Sequence, residues 1–218
     1  MSGRRPAAGG GVWVDVAPER LERWLAGFVH RHGHAGWAGD SALLTFTAAD
    51  GATAECEVPF PPIVGEVSPA ALVRHALADR RVGVLLVRLG GYAAGVFDGS
   101  KLVDSKVGSR QVHGRSAAGG WSQQRFARRR EGQVKVALDE AAGVAARILV
   151  PAAPGLAGVV LGGDRRAVEA VLEDARLATL RALVTGRVLD VADPRLVVLQ
   201  ETPKQFRAVR IRVTDPAD

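Results

Sequence analysis

The apolar positions of the chain follow two periods, of two and about 3.6 residues, and the switches between them predict the elements. Val12–Val16 reads as a short strand. Pro18 suits the first turn of a helix, Leu21, Trp24, Leu25, Phe28 and Val29 recur at helical spacing, and Gly33 stops the run. Ser41–Thr47 and Ala52–Pro59 flank Asp50-Gly51 and predict a hairpin. A further helix is expected over about Pro69–Arg80, after the proline-rich Pro59–Pro62. Together these give a small β-α-β-β-α unit over residues 12–80. Residues 1–11 read as a flexible tail, because Gly, Pro and Ala supply little to bury.

Residues 81–218 read as a second, larger domain. Val82–Leu89 is a near-continuous apolar run of the kind found in buried strands, and Gly90-Gly91 and Asp98-Gly99 are two-residue turn signals. Three antiparallel strands are therefore expected, at about 82–89, 92–97 and 100–109. Gln111–Trp121, with Gly114, Gly119 and Gly120 and almost nothing to bury, predicts a solvent-exposed loop. A long helix follows from Ser122, a good N-cap, to about Leu149, with Phe126, Val134, Leu138, Ala141, Ala145 and Ile148 on its buried face. Pro151 and Pro154 end it. Leu156–Leu161 predicts a strand, Asp164 caps a helix reaching about Leu177, and Arg187–Val191 and Phe206–Val213 predict two more strands, the last closing this domain.

Of the 218 residues 47% are hydrophobic and 24% charged, the balance of a folded globular protein. No apolar stretch is long enough to span a bilayer, and Met1–Gly11 lacks the hydrophobic segment of a signal peptide. Cys56 is the single cysteine, which excludes intrachain disulfides and cysteine-cluster zinc sites, and a cytoplasmic setting is expected.

Charge changes the picture only once it is located. Between Lys106 and Lys135 eight basic residues stand against Glu131 alone, a net +7 that leaves the rest of the chain at −1 of the total +6. Such focusing is the footprint of a phosphate-rich partner. The plainer reading, a solvated helix face in an Arg- and Ala-rich sequence, also fits a charge run.

The most distinctive text is Gly119-Gly120-Trp121-Ser122-Gln123-Gln124-Arg125-Phe126-Ala127-Arg128-Arg129-Arg130. Two glycines permit positive φ and close backbone approach. A helix start offers unpaired N–H groups and a positive dipole end to phosphate. Arg125, Arg128 and Arg129 fall on neighbouring turns, and with Arg110, Arg115 and Arg130 they can grip a polynucleotide backbone. Trp121 can stack on an exposed base. Gln123 and Gln124 are neutral donor–acceptor groups, able to hold a water or an ester carbonyl but weak as acids or bases.

This segment resembles the middle domain of the class I release factors of eukaryotes and archaea, where a GGQ loop is followed by Ser, an Arg-Phe-Ala-Arg stretch and a long helix. The resemblance runs over roughly Arg81–Asp193 and includes three hairpin-linked strands before the loop and Gly158–Gly163 with a helix start at Asp164 after it. It implies an α/β (α+β) fold with a ribonuclease-H-like mixed sheet and flanking helices. Trp121 stands where those factors carry the Gln of GGQ. The shifted frame Gly120-Trp121-Ser122-Gln123 is more similar to the Gly-x-x-Gln loops of the ankyrin-repeat and zinc-finger peptidyl-tRNA hydrolases of ribosome quality control and their actinobacterial relatives.

On that pattern Gln123 is the catalytic candidate and Gln124 the second choice, in a loop formed by Gly119, Gly120, Trp121 and Ser122. The resemblance implies ribosome-dependent hydrolysis of peptidyl-tRNA, with the ribosome, its rRNA and peptidyl-tRNA as partners and no cofactor. A nuclease acting on the tRNA 3′ end and a non-catalytic ribosome- or RNA-binding factor are the alternatives. Codon-directed termination is not expected, since the N-terminal unit shows no stop-codon-reading motif. A monomer is expected, because nothing in the chain suggests a coiled coil.

Other candidates are weaker. His30, His32 and His34 straddle a predicted helix end without a converging Cys or carboxylate cluster, so solvated helix-end histidines are expected rather than a metal site. His113 is a lone histidine in the basic loop. Gly158–Gly163 with Arg165 and Arg166 lacks both the Lys-Ser/Thr of a P-loop and the third glycine of a dinucleotide fingerprint.

Overall fold

A computed structural model describes residues 5–88, 90–109 and 122–216, with residues 122–131 described by their helical backbone. The strands and helices run in the order β1 (Arg5–Pro6), β2 (Val12–Val16), α1 (Pro18–His32), β3 (Ala35–Gly39), β4 (Leu43–Ala48), β5 (Thr53–Glu57), α2 (Pro69–Leu77), β6 (Arg81–Arg88), β7 (Gly91–Asp98) and β8 (Lys101–Ser109). There follow α3 (Ser122–Leu149), β9 (Gly158–Gly163), α4 (Arg165–Leu172), α5 (Ala178–Arg181), α6 (Leu196–Glu201), α7 (Pro203–Phe206) and β10 (Val209–Thr214). The chain forms two units, residues up to Ala78 together with Pro203 onward, and Asp79–Thr202. Each has its own sheet, an α+β arrangement.

The first unit is an antiparallel sheet in the order β1-β2-β10-β5-β4-β3, covered on one face by α1 and α2. Period-two alternation sends Val14, Val16, Leu44, Phe46, Ala54, Cys56, Ile211 and Val213 into the core, where Leu21 and Phe28 of α1 and Leu72 of α2 meet them. The opposite face is polar: Arg212 lies 3.6 Å from Glu55, Arg210 3.7 Å from Glu57, and the Arg210 guanidinium sits 3.8 Å over the Trp13 ring.

Two sequence expectations fail in this unit, and one of its strands was not expected. The last strand does not close the second domain. It is β10, hydrogen-bonded between β2 and β5 at the centre of the first sheet, a pairing too distant along the chain for any local pattern to show. The described part of the expected tail, residues 5–11, is not free either: Arg5 and Pro6 pair with Trp13 and Val12, Arg5 bonds Asp15 at 2.9 Å, and Arg212 donates to the carbonyls of Gly9 and Gly10. Finally β3, with the sequence Ala-Gly-Trp-Ala-Gly, is a strand without hydrophobic alternation, held through its ladder with β4.

Cys56 is fully buried in β5, and burial pushes its thiol up to about 12. A thiol reagent is therefore expected to leave the native protein unmodified and to label this one cysteine only after unfolding in denaturant. Rapid stoichiometric labelling of the native protein would show that the first unit opens readily.

In the second unit β6, β7 and β8 form the expected meander, and β9 joins parallel to β6, giving the order β8-β7-β6-β9. The parallel pair requires a crossover, and the long helix supplies it. The helix after Asp164 is shorter than expected. It stops at Leu172 because Arg181 takes the terminal carbonyls, with Nε on Leu172 O at 2.7 Å and Nη2 on Glu173 O at 2.7 Å, and Asp174 caps a separate 3₁₀ turn at Ala175–Leu177. The expected strand at Arg187–Val191 is a looser segment that touches β9 through one bridge, Leu189 to Gly162, while Val184 before it bridges Val159. Gly186, at φ 74°, interrupts any ladder there.

Candidate functional site

The basic segment is attached to a rigid base. On α3, Ala141, Ala142, Ala145, Ile148 and Leu149 are buried against the sheet, while Val134 and Leu138 are half-buried. The helix has 28 residues, about 42 Å of rise, and the fully buried positions among its described residues begin at Ala141. A polar clamp fixes its middle: Nη2 of Arg176 donates to Asp139 Oδ1 at 2.6 Å and to Asp174 Oδ2 at 2.7 Å. Arg176 draws the Asp174 carboxyl down to about 2, and the two carboxylates push the guanidinium up. All three groups are partly exposed, so their value lies in geometry more than in stability.

Two glycines shape the strand ends next to this segment. Ser109, the last residue of β8, stands opposite Gly91, so the β6–β7 turn lies at the same end of the sheet. There Tyr92 lies across Gly108, where a Cβ would sit 2.4 Å from the ring, so the glycine is the seat of the tyrosine. Gly163 ends β9 at φ 98°, and a Cβ there would fall 2.2 Å from the carbonyl oxygen of Val87. Asp164 then caps α4 through the Ala167 N–H at 3.0 Å. A mostly apolar cavity of about 60 Å³ opens here, bounded by Val87, Arg88, Tyr92, Val134, Leu138 and Asp164. Arg88 is turned to the Val191 carbonyl at 2.7 Å, which ties the strand end to the 183–195 segment.

The sequence-predicted site residues fall on the edge of this description. Arg110, His113, Arg115, Gly119, Gly120 and Trp121, and with them the expected loop 111–121, lie outside the described residues. Ser122, Gln123, Gln124, Arg125, Arg128, Arg129 and Arg130 occupy the first turns of α3, where the helix begins at Ser122 and the side chains are not among those described. The histidine cluster has a partly structural use: His32 Nδ1 is 2.8 Å from Asp50 Oδ2, and its ring lies 4.9 Å from that of Phe28. Among the described residues no group of three or more His, Cys, Asp or Glu could hold a metal ion, and no helix is long and apolar enough to cross a membrane.

The Arg176 clamp and the Tyr92–Gly108 seat were not read from sequence. The only available signals were a single tyrosine at the start of a predicted strand and an Asp-x-Arg near the end of the helix predicted to reach Leu177.

Residues 80–212 match the family model described as the Actinobacteria/chloroflexi VLRF1 release factor. The chain belongs to that release-factor family. The matched span contains all of the second unit but Asp79, the Gly119–Arg130 text and most of β10. Solved structures similar to the chain include the crystal structure of the archaeal translation termination factor aRF1, at 18% identity over 74% of this chain and 51% of that one, with a TM-score of 0.44. Another, described as an archaeal protein, shows 17% identity over 74% and 52%, with a TM-score of 0.38. The chain thus spans about half the length of these two structures. No curated protein matches it.

Proposed function

We propose that this release-factor-family protein is a ribosome-dependent peptidyl-tRNA hydrolase that frees nascent chains from stalled ribosomes. The observation that carries the reading is the family match over 80–212, whose span includes the Gly120-Trp121-Ser122-Gln123 frame, with Gln123 in the first turn of the 28-residue helix α3. In the reaction, water adds to the ester carbonyl joining peptide to tRNA, the C–O bond to the tRNA breaks, and the proton passes to the departing ribose oxygen. The role of Gln123 is to orient that water or the carbonyl. A neutral amide contributes position rather than acid or base strength, and the remaining lowering of the barrier comes from ribosomal groups around the ester. Arg110, Arg115, Arg125, Arg128, Arg129 and Arg130 hold RNA phosphates, no cofactor takes part, and the setting is the cytoplasm.

The test is to incubate the protein with ribosomes stalled on peptidyl-tRNA and then examine the tRNA 3′ end. Released peptide together with a full-length tRNA is the expected result. A shortened tRNA would replace ester hydrolysis by nuclease action, and no release on any stalled complex would leave a non-catalytic binding factor.

Binding to ribosomes should weaken steeply with salt, because each neutralised phosphate releases counterions. Replacing Arg128, Arg129 and Arg130 together by Ala is expected to reduce the slope of log affinity against log salt by about 2, on the single-strand value per phosphate contact. A variant with unchanged affinity and slope would remove these arginines from the interface.

A further inference from the structure

The two sheets guard their described edges with one exception. β1 is two residues long and ends on Pro6, and β8 carries exposed Lys101, Asp104 and Lys106 and a register shift opposite Val96 and Phe97. The outer side of β9 takes bonds from the 183–189 segment, including Leu189 N–H to Leu161 O at 2.7 Å. These are the usual devices against strand-to-strand association. β3, the last strand of the first sheet, has none: it is Ala-Gly-Trp-Ala-Gly, without charge or proline, and Trp37 is 45% exposed on it.

The ladder shows which backbone groups of β3 face outward. Ala49 N–H bonds His34 O and Asp40 N–H bonds Leu43 O, both at 2.9 Å, so the even-numbered residues His34, Gly36, Ala38 and Asp40 turn toward β4. By the alternation of an antiparallel pair, the N–H and C=O groups of Ala35, Trp37 and Gly39 turn away from it.

From this we propose that β3 pairs antiparallel with β3 of a second copy of the chain about a two-fold axis at Trp37, joining the two first sheets edge to edge. In that register Trp37 faces Trp37, Ala35 faces Gly39 and Gly39 faces Ala35. Every outward donor and acceptor then finds a partner, about six hydrogen bonds in all. The two indoles stand side by side on the core-side face and cover each other's exposed surface. At both ends the register sets His34 opposite Asp40, an acid against a base rather than like against like. Gly36, where a Cβ would meet no atom within 4 Å, and Ala38 leave the opposite face smooth. A register shifted by one residue would set these outward groups against groups already bonded to β4, so the self-pairing is selective. This departs from the monomer expected from sequence. The contact is short for an interface, so the dimer is weak, with a dissociation constant of about 10–100 µM.

Sedimentation of the full chain from about 5 to 500 µM tests this, the range being set by that affinity. The weight-average mass is expected to rise toward twice the monomer value. Trp37→Lys, which sets two lysines directly opposite each other at the axis with Cα atoms about 5.5 Å apart, is expected to weaken association at least about 100-fold. Trp37→Pro removes an N–H that β4 does not use and should do the same. Circular dichroism and melting establish that each variant is folded, and if Trp37→Pro is not, Trp37→Lys decides. A wild type that stays monomeric throughout overturns the proposal, as does a folded Trp37→Lys variant that dimerises like the wild type.

Discussion

Gln123→Ala is expected to abolish peptidyl-tRNA cleavage while leaving ribosome binding nearly intact. Under the proposed function the arginines of the same segment supply affinity through phosphates, whereas one neutral amide adds little to it. What Gln123 contributes under the proposed function is the placement of water against an ester carbonyl. A positioning group of that kind acts in the transition state, so its removal lowers the rate at saturation and not the apparent affinity. By comparison with single hydrogen-bond donors that stabilise developing charge, the loss should be at least about 100-fold. Single-turnover release from stalled complexes at saturating protein measures it. Gln124→Ala, one residue further along the helix, should be milder. A dead Gln124→Ala beside an active Gln123→Ala would move the frame by one residue. If both single variants and the double variant cleave normally, the glutamines are not the catalytic groups and His113 is the next to replace.

A large loss of stability is expected at Gly163. Its φ of 98° is open to glycine and strained for alanine, and the added methyl would press on the Val87 carbonyl, which is backbone and cannot rotate aside. That carbonyl also accepts the Asp164 N–H at 2.8 Å, so relief by shifting it loosens the start of α4. Gly163→Ala should cost about 3 kcal/mol, conformational strain and steric overlap together. Gly186→Ala separates the two terms: Gly186 also has a positive φ, 74°, but a Cβ there meets no atom within 4 Å, so only about 1 kcal/mol is expected. Thermal or denaturant unfolding of the two variants beside the wild type gives the comparison. Equal losses would mean that the contact with Val87 is relieved cheaply.

Local patterns carried much of this fold. The β6–β8 meander was legible because an apolar run and two glycine-bearing turns coincide, and α3 because its apolar stripe continues for many turns up to Pro151. Asp164 could be read as a cap because its side chain acts on the N–H three residues later. What stayed hidden depends on partners far along the chain. β10 looks like any short strand, and only Val14 and Cys56 on either side of Ile211 show where it belongs. β3 has no alternation to detect, and the end of α4 is set by a side chain from Arg181. The candidate chemistry was legible in a different way, as a run of text: Gly120-Trp121-Ser122-Gln123 followed by arginines needs no knowledge of the sheets. The seat of Tyr92 on Gly108 and the Arg176 clamp are tertiary, and no spacing announces them.

The position of β10 has a consequence for how the protein is made. Synthesis runs from the N-terminus, so β2 and the β3–β5 meander emerge before the second unit, yet the strand that joins them emerges only after it. Until then each of β2 and β5 holds an open edge, and the early sheet exists as two separate pieces. The second unit, contained wholly between those pieces, can complete its own pairing first. A nascent chain cut short anywhere between Thr202 and β10 would therefore carry the release-factor unit folded and the first sheet split. The first sheet is thus joined only once β10 has been made.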